Sequence, residues 1–378
     1  MPRAILDWDG ALSFGRSDEH KVDEAVRDTA ARWNAARRPL VMVGIETYRF
    51  KLQREVRALA EKLGAPVTTS VLSKGAFPMD HPLYMGVHIG AISPKPIARR
   101  VERADLVLSL GTMLTDMDLG SRPLQIARER SIWAVGGSVN VSLHTYTDVH
   151  LRHFVRGLLA ARLRRHREGV RYCDNLPPEP RGLERPLRVT DLLRELNRFL
   201  AGRRGYAVVA ESGDMLFAGL DVRVARGGGY LAQGFYASMG FGVPGALGAQ
   251  IGTGVRPIVL SGDGAFQMTG PEIAQAPRHG LNPIVVVVNN GGWQIFRPVV
   301  PKPSLLDVPP WPYAELAERW GGHGVRVSRV DELRTALEEA ARVKSFVLIE
   351  ACVPKDDLSP VSRKYIQASA RKGRSARR

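Results

Sequence analysis

The sequence predicts an α/β protein with two doubly wound, mostly parallel sheets, one in each half of its 378 residues. Short runs rich in valine, isoleucine and leucine alternate with segments of helical periodicity, which is typical of chains that build parallel sheets. A polar, proline-rich segment separates the two halves and indicates a linker. Two domains of ordinary size are expected at this length, and an apolar content of 44% is sufficient for two cores.

The first half contains strands that each follow a helix or a turn. Glycine ends two of the strands, at Gly44 and Gly111, but no Gly-x-Gly-x-x-Gly opens a helix, so a nicotinamide or flavin site is not predicted. The pattern indicates a Rossmann-like domain with a structural role. The predicted elements are helices at 23–37, 51–63, 94–103 and 149–163, and strands at 39–44, 66–69, 106–111 and 132–135.

The second half repeats the alternation. Thr269-Gly270-Pro271-Glu272 has the capping-box pattern and predicts a helix that Gly280 ends, with Pro277 kinking its final turn. The other predicted elements are helices at 190–200, 314–320 and 331–343, and strands at 207–210, 257–261, 284–288, 325–327 and 346–350.

Polar residues follow two neighbouring strands of this second half. Gly262-Asp263-Gly264 comes directly after one strand, and Asn290 and Gly292 follow the next. The strand–helix–strand order predicts that both strands run parallel and side by side, so these residues meet at one edge of the sheet. A carboxylate, an amide oxygen and the Gly292 carbonyl are oxygen ligands suited to Mg²⁺, and the glycines let backbone N–H groups approach a phosphate. A plain turn could also produce Gly-Asp-Gly alone.

These motifs resemble those of the thiamine diphosphate-dependent 2-oxo acid decarboxylases. The string from Gly262 to Gly270, together with residues 236–244, is similar to the indolepyruvate and phenylpyruvate decarboxylases, and the similarity extends from about Val41 to Pro354. The resemblance implies thiamine diphosphate and Mg²⁺ as cofactors and a small 2-oxo acid as substrate. It implies a cofactor site made of Ser212, Gly213, Asp214, Ala237, Met239, Gly262, Asp263, Gly264, Ala265 and Asn290, with Asp263, Asn290 and Gly292 on the metal.

The resemblance also suggests roles for single side chains. Met239 matches an apolar residue that wedges beneath the cofactor, and Ala237 stands where the family often has glycine; Met239 could otherwise be a core methionine. Phe296 stands where pyruvate decarboxylases have glutamate, which indicates an aromatic 2-oxo acid substrate. Trp293 and Phe296 are therefore predicted pocket walls, with core packing as the alternative. The loop containing Asp116 resembles one near the family's active site, although an exposed loop acid is the simpler interpretation.

The family has three domains, and this chain matches the last two. The activating glutamate and the catalytic acid–base residues of the family belong to the first, pyrimidine-binding domain, so no catalytic residue is predicted here. The predicted boundaries are 1–20 for the end of that domain or a linker, 21–165 for the middle domain, 166–187 for a linker, 188–357 for the diphosphate-binding domain and 358–378 for a basic tail.

Three functional hypotheses follow from these features. In the first, the chain is part of an aromatic 2-oxo acid decarboxylase that needs a pyrimidine domain from a partner or from an upstream reading frame. Alternatively, it is a truncated, inactive remnant or an interaction module. The third possibility is a carboligase of the acetolactate synthase type. Phe296 and the string Phe266-Gln267-Met268-Thr269 favour a decarboxylase over a synthase.

Composition limits the partners and the compartment. The net charge of +16 comes largely from arginines at 152–171 and 363–378, but no aromatic residues alternate with them, so a solvated surface and a frayed tail are predicted and nucleic acid is not. Two cysteines, no apolar run of membrane length and no signal peptide predict a cytoplasmic location. A homo-oligomer, a separate pyrimidine-domain chain, or both are the expected partners.

Overall fold

Two sheets, one in each half of the chain, form the framework of the protein. The computed structural model describes residues 15–120, 126–225, 229–298, 300 and 302–375. The strands of the first half are β1 (Pro39–Val43), β2 (Val67–Thr69), β3 (Tyr84–Val87), β4 (Leu106–Leu110), β5 (Ser131–Val135), β6 (Ser138–Val141) and β7 (His144–Thr147). Its helices are α1 (Glu19–Ala35), α2 (Ile45–Arg49), α3 (Gln53–Leu63), α4 (Lys95–Glu102) and α5 (Leu151–Ala160).

The first sheet has the order β3-β2-β1-β4-β5-β6-β7. The pairs from β3 to β5 are parallel, whereas β5, β6 and β7 pair antiparallel. Every residue of β1 and β4 is buried, as expected for central strands covered by helices on both faces. The sheet is therefore mostly parallel, as predicted; β3 and the β6–β7 hairpin were not predicted from the sequence.

The second sheet is parallel throughout its six strands. It is built from β8 (Tyr206–Ala210), β9 (Tyr230–Ala232), β10 (Arg256–Gly262), β11 (Ile284–Asn289), β12 (His323–Val327) and β13 (Val347–Cys352), in the order β12-β13-β11-β10-β8-β9. Its helices are α6 (Val189–Leu200), α7 (Asp214–Ala218), α8 (Gly242–Thr253), α9 (Asp263–Thr269), α10 (Tyr313–Arg319), α11 (Val330–Ala340) and α12 (Pro360–Ser375). The predicted fold class, two doubly wound and mostly parallel sheets, is confirmed.

The helix after Gly262 differs from its prediction. It begins at Asp263, directly after β10, and not at the capping-box pattern six residues later. Short 3₁₀ segments at Gly270–Gln275 and Pro277–His279 follow it, because Pro271 and Pro277 cannot donate to the helical ladder. Gly280 ends the segment in the left-handed conformation (φ +61°), as predicted.

The predicted frayed tail is also wrong within the described residues. Residues 360–375 form α12, and Val361 packs into an apolar cluster with Phe217 and Leu220. The Tyr365 ring lies 4.8 Å from that of Phe217, measured between centroids. Burial of these side chains stabilises a helix that charge alone did not predict. Residues 376–378 lie outside the described part of the chain.

The two halves are joined by an extended segment and by a shared core. Residues 162–185 contain neither helix nor strand, and their backbone bonds to the first half, for example from His166 N to Leu63 O. One apolar cluster includes residues of both halves, such as Leu63 and Leu192. Of the predicted segment 1–20, residues 1–14 lie outside the described ranges. None of the helices described is both long and apolar enough to cross a membrane.

Candidate functional site

Asp263 and Asn290 lie at the carboxyl ends of neighbouring parallel strands, as the sequence predicted. Strand β10 pairs with β11 in a register that places Gly262 opposite Val288. Asp263 is the first residue of α9 and is only 1% exposed. Its carboxylate accepts hydrogen bonds from the backbone N–H groups of Gly264 (2.7 Å) and Gly291 (2.6 Å). Burial raises the pKa of this carboxyl, and the backbone hydrogen bonds oppose that rise.

The amide oxygen of Asn290 is buried and has no hydrogen-bond partner. A buried polar atom without a partner is costly, and a bound cation would satisfy it. The carbonyl oxygen of Gly292 accepts the N–H of Gln294 at 3.0 Å and keeps a second lone pair. The described residues contain no cluster of three or more histidine, cysteine or acidic side chains that could hold a metal. The buried Asp263 carboxylate, the Asn290 amide oxygen and the Gly292 carbonyl are all oxygen donors, and such a set fits Mg²⁺, which takes few protein ligands and fills its octahedron with phosphate and water.

The glycines beside Asp263 leave room for an anion. A Cβ placed on Gly262 or on Gly213 would meet no atom within 4 Å. Gly264 is different, because a Cβ there would lie 2.9 Å from the indole of Trp293. Gly264 therefore lets Trp293 pack onto the turn, whereas the space beside Gly262 is open to a ligand. These features fit a diphosphate held on backbone N–H groups.

Ser212 and Asp214, predicted to contact the diphosphate, both bond to protein atoms. The Ser212 hydroxyl donates to the carbonyl oxygen of Ser238 at 2.8 Å, and the Asp214 carboxylate accepts from the hydroxyl of Ser359 at 2.6 Å. Burial raises the pKa of Asp214, and the bonds from Ser359 oppose that rise. Neither side chain caps α7, whose N-cap residue is Gly213. The two side chains therefore fix the local structure around Gly213.

One cavity of about 190 Å³ is lined by every residue that was predicted for the cofactor, the metal and the substrate pocket. Met239 and Phe296 are 38% and 45% exposed, so these two side chains border the cavity and do not belong to the core. Ala237 has φ +54°, a left-handed conformation that explains why glycine would suit this position. The predicted lining residues are Ser212, Gly213, Asp214, Ala237, Met239, Gly262, Asp263, Gly264, Ala265, Asn290, Gly292, Trp293 and Phe296.

Other lining residues were missed from the sequence. Met117 comes from the first half of the chain, and Tyr365 comes from α12. The neighbouring Asp116, which the sequence singled out, is exposed and does not line the cavity. The i, i+4 spacing of Val361 and Tyr365 was a local signal for α12, but nothing local placed it beside α7. The remaining missed lining residues are Met215, Leu216, Phe217, Val288, Gln294 and Ile295.

A larger cavity, of about 850 Å³, lies away from these motifs between the linker and α6. Its arginines are paired with acids: Arg198 with Glu179, and Arg223 with Asp174. Paired charges leave no net field for an anionic ligand. The smaller cavity has the unsatisfied oxygen and the buried carboxylate, so it is the better candidate for a functional site.

Comparison with known proteins agrees with this geometry. Residues 26–161 match the family model of the thiamine pyrophosphate enzyme central domain, and residues 212–351 match that of the C-terminal thiamine pyrophosphate-binding domain. The chain thus belongs to the thiamine pyrophosphate enzymes, of which it has the central and C-terminal domains. Among these enzymes it is similar to the 2-oxo acid decarboxylases, which its motifs resemble.

The similar proteins are decarboxylases by name. The chain is 35% identical over 365 residues to indole-3-pyruvate decarboxylase of Azospirillum brasilense, a match that covers 94% of this chain and 65% of the relative. It is 30% identical to pyruvate decarboxylase 1 of Zea mays, covering 91% of this chain and 58% of the relative. The crystal structure of benzoylformate decarboxylase from Polynucleobacter necessarius has the same fold, with a TM-score of 0.71 at 22% identity over 94% of this chain and 68% of that one. The chain therefore spans 58% to 68% of the length of these proteins.

Proposed function

We propose that this chain binds thiamine diphosphate together with Mg²⁺ and forms the diphosphate-binding half of the active site of a non-oxidative 2-oxo acid decarboxylase. The observation that supports this most is the unpartnered amide oxygen of Asn290, which directly follows β11. The neighbouring strand β10 leads directly into the buried carboxylate of Asp263. A divalent cation would give the Asn290 amide oxygen a partner and neutralise the charge of the Asp263 carboxylate. The membership of the family adds independent support for the cofactor.

Each group of residues has a separate task in this proposal. Asp263, Asn290 and the Gly292 carbonyl hold the metal, and the backbone around Gly262 and Gly213 holds the diphosphate. Met239 and Ala237 lie on the side of the cavity that would face the rings. When bound, thiamine diphosphate supplies the electron sink for loss of CO₂ from a 2-oxo acid. The chain's own contribution is to orient the cofactor and to exclude water with apolar walls.

The proposed substrate is an aromatic 2-oxo acid, such as indolepyruvate or phenylpyruvate. Trp293 and Phe296 line the cavity together with the missed residues Ile295, Phe217 and Tyr365, so aromatic and aliphatic walls predominate. Such walls favour an apolar substrate side chain. The similarity to an enzyme named indole-3-pyruvate decarboxylase points the same way.

The proposed partner is a pyrimidine-binding domain, from a second copy or from another chain. Tyr236 and Phe235, which precede the cavity residue Ala237, are 81% and 56% exposed, and their rings lie 6.5 Å apart between centroids. Exposed aromatic and aliphatic side chains grouped beside a site mark an interaction surface. A cytoplasmic location stays a prediction, supported by Cys173 and Cys352, which are both free.

Calorimetric titration tests the cofactor site. Thiamine diphosphate should bind the purified chain only when Mg²⁺ is present, because each supplies ligands that the other lacks. Asp263→Ala and Asn290→Ala should weaken binding by a few kcal/mol, on the order of a hundredfold. Glu46→Gln is a matched control, since Glu46 is also a buried carboxylate that accepts a backbone N–H, but lies in the first half. Equal affinity in the wild type and in both alanine variants would contradict the site.

A decarboxylase assay tests the need for a partner. The 378-residue chain alone should not turn over phenylpyruvate or indolepyruvate, because the family's catalytic acids belong to the pyrimidine domain. Co-expression with a matching pyrimidine domain should give a defined complex by size exclusion and restore turnover. Turnover by the chain alone would contradict the division of roles. A monomer that ignores the added domain would favour the inactive remnant, and carboligation without release of aldehyde would favour the synthase.

A further inference from the structure

Glu211 is a buried carboxylate that is not among the residues proposed to hold the metal, the diphosphate or the rings of the cofactor. It follows the last residue of β8 and is 1% exposed. Among the described residues, its side-chain hydrogen bonds all come from the backbone. Its partners are backbone N–H groups: Oε1 accepts from Ser212 (2.7 Å) and Gly240 (3.2 Å), and Oε2 accepts from Gly242 (2.7 Å).

Two of these N–H groups, those of Gly240 and Gly242, belong to the segment that follows β9 and ends with the first residue of α8. This segment, residues 233–242, is called the Met239 loop here, because it holds Met239 and Ala237 at the cavity. Gly242 is the first residue of the twelve-residue helix α8, so the Glu211 carboxylate also lies at a helix N-terminus, where negative charge is favourable. Glu211 therefore ties the strand that leads into Ser212 to the loop that carries Met239.

The close approach of Glu211 explains the glycines of the loop. A Cβ on Gly242 would lie 2.9 Å from the Glu211 carboxylate, and Gly240 has φ +90°. Two further contacts hold the same stretch: Ser212 Oγ donates to Ser238 O at 2.8 Å, and Thr269 Oγ1 donates to Gly240 O at 2.5 Å. The loop is thus fixed from β8 and from the end of α9, the two elements that flank the proposed diphosphate site.

We propose that Glu211 is a positioning residue, which holds the Met239 loop in the position that binds the ring portion of the cofactor. This inference rests on the proposed function for the identity of the ligand. Glu211 acts through the loop and touches neither the metal site nor the open space at Gly262. Its loss should therefore weaken binding of the rings and spare binding of the diphosphate.

Glu211→Gln is the informative change. A glutamine keeps the size of the side chain but has a single acceptor oxygen, and its NH₂ group would face the N–H of Gly240 or of Gly242. Glu195→Gln is the matched control: Glu195 is 2% exposed, but it bonds to Arg334 and Arg198 away from the cavity.

Hydrogen exchange of the full chain without cofactor tests the positioning itself. The amides of Gly240 and Gly242 should be protected in the wild type and exchange about tenfold faster or more in Glu211→Gln. The Glu195→Gln control should leave them unchanged. If Glu211→Gln does not fold, Glu211→Asp provides the test, because its shorter carboxylate cannot reach the N–H groups of both Gly240 and Gly242. Unchanged protection at both glycines in the folded variant would overturn the proposal.

Calorimetry with two probes then tests the consequence for the ligand. With Mg²⁺ present, Glu211→Gln should bind thiamine diphosphate about tenfold or more weakly, and bind inorganic pyrophosphate within about twofold of the wild type. Equal losses for both probes, or no loss for thiamine diphosphate, would overturn the role in ring binding. A wild type that binds neither probe would instead refute the proposed function, and the exchange experiment would still decide whether Glu211 fixes the loop.

Discussion

The edges of the two sheets at which the parallel strands end have the same strand arrangement, but one is filled by backbone and the other is open. In each sheet two central parallel strands end side by side, β1 with β4 and β10 with β11, and glycine follows β1 and ends β10. A Cβ on Gly44 would lie 2.0 Å from the carbonyl oxygen of Gly111, so the first edge is closed by backbone. A Cβ on Gly262 would meet nothing within 4 Å, so the second edge is open.

The residues after these glycines show why only one edge suits a ligand. Asp263 follows Gly262 directly, and its carboxylate lies beside a buried amide oxygen that has no partner. Ile45 follows Gly44, and the next carboxylate, that of Glu46, accepts the N–H of Gly136, so the edges differ in the space beside the glycine and in the amide oxygen, not in the bonding of the carboxylate. Burial raises the pKa of Glu46 as it does that of Asp263. A parallel sheet supplies the edge, but side chains and close backbone contacts decide whether it can bind.

Exchanging glycine for alanine at the two edges should separate stability from binding. Gly44→Ala forces a methyl group into the Gly111 backbone and should lower the free energy of unfolding by about 3 kcal/mol. Gly262→Ala has room for the methyl group, so it should change that free energy by less than about 1 kcal/mol and weaken Mg²⁺–thiamine diphosphate binding about tenfold or more. Urea unfolding and calorimetry measure the two quantities. Similar effects of both substitutions on both quantities would contradict the difference between the edges.

Lys74 tests the contact between the two halves, because its side chain joins them. This buried lysine of the first half donates to the carbonyl oxygens of Leu220 (2.9 Å) and Val222 (2.7 Å) in the second. Burial lowers its pKa from 10.5 to about 7. Between these values the unfolded chain binds a proton that the folded chain does not, so stability should rise with pH from 7 towards 10.

The expected signal is a difference between wild type and Lys74→Met. The free energy of unfolding of the wild type, relative to that variant, should increase by up to about 1.4 kcal/mol per pH unit over this range. Urea unfolding at pH 7, 8 and 9 measures it. Lys62→Met is the control for losing an ammonium–carbonyl contact, because Lys62 bonds to Leu159 O and Ala161 O within the first half. A difference that does not change with pH would show that Lys74 stays protonated.

The smallest expected effect concerns backbone strain at the cavity. Ala237 (φ +54°) and Ser142 (φ +58°) both have left-handed backbones, one beside the open edge and one in the β6–β7 hairpin. Ala237→Gly and Ser142→Gly should each stabilise the chain by up to about 1 kcal/mol, because glycine adopts this conformation without steric cost. Thermal unfolding measures both. Destabilisation by Ala237→Gly alone would mean that its methyl group has a packing role in the Met239 loop.

Local patterns predicted the two sheets and the residues at the edge of the second. Short apolar runs placed β10 and β11, and the strand–helix–strand order made them parallel neighbours, which brought Asp263 and Asn290 together. Helix ends were less predictable, because the start of α9 depends on Gly262 as an extended N-cap. Met117 and Tyr365 reach the cavity from elements distant in sequence, and contacts of that kind leave no trace in local periodicity.

Locating the bound metal tests the central claim most directly. Crystals of the chain grown with thiamine diphosphate and Mn²⁺ in place of Mg²⁺ would show the metal by its anomalous scattering. The account predicts one site between Asp263 and Asn290, with the diphosphate against Gly262 and Gly213. Mn²⁺ and diphosphate at the edge of the first sheet, or a diphosphate bound in the second half without the metal on Asp263, would contradict it.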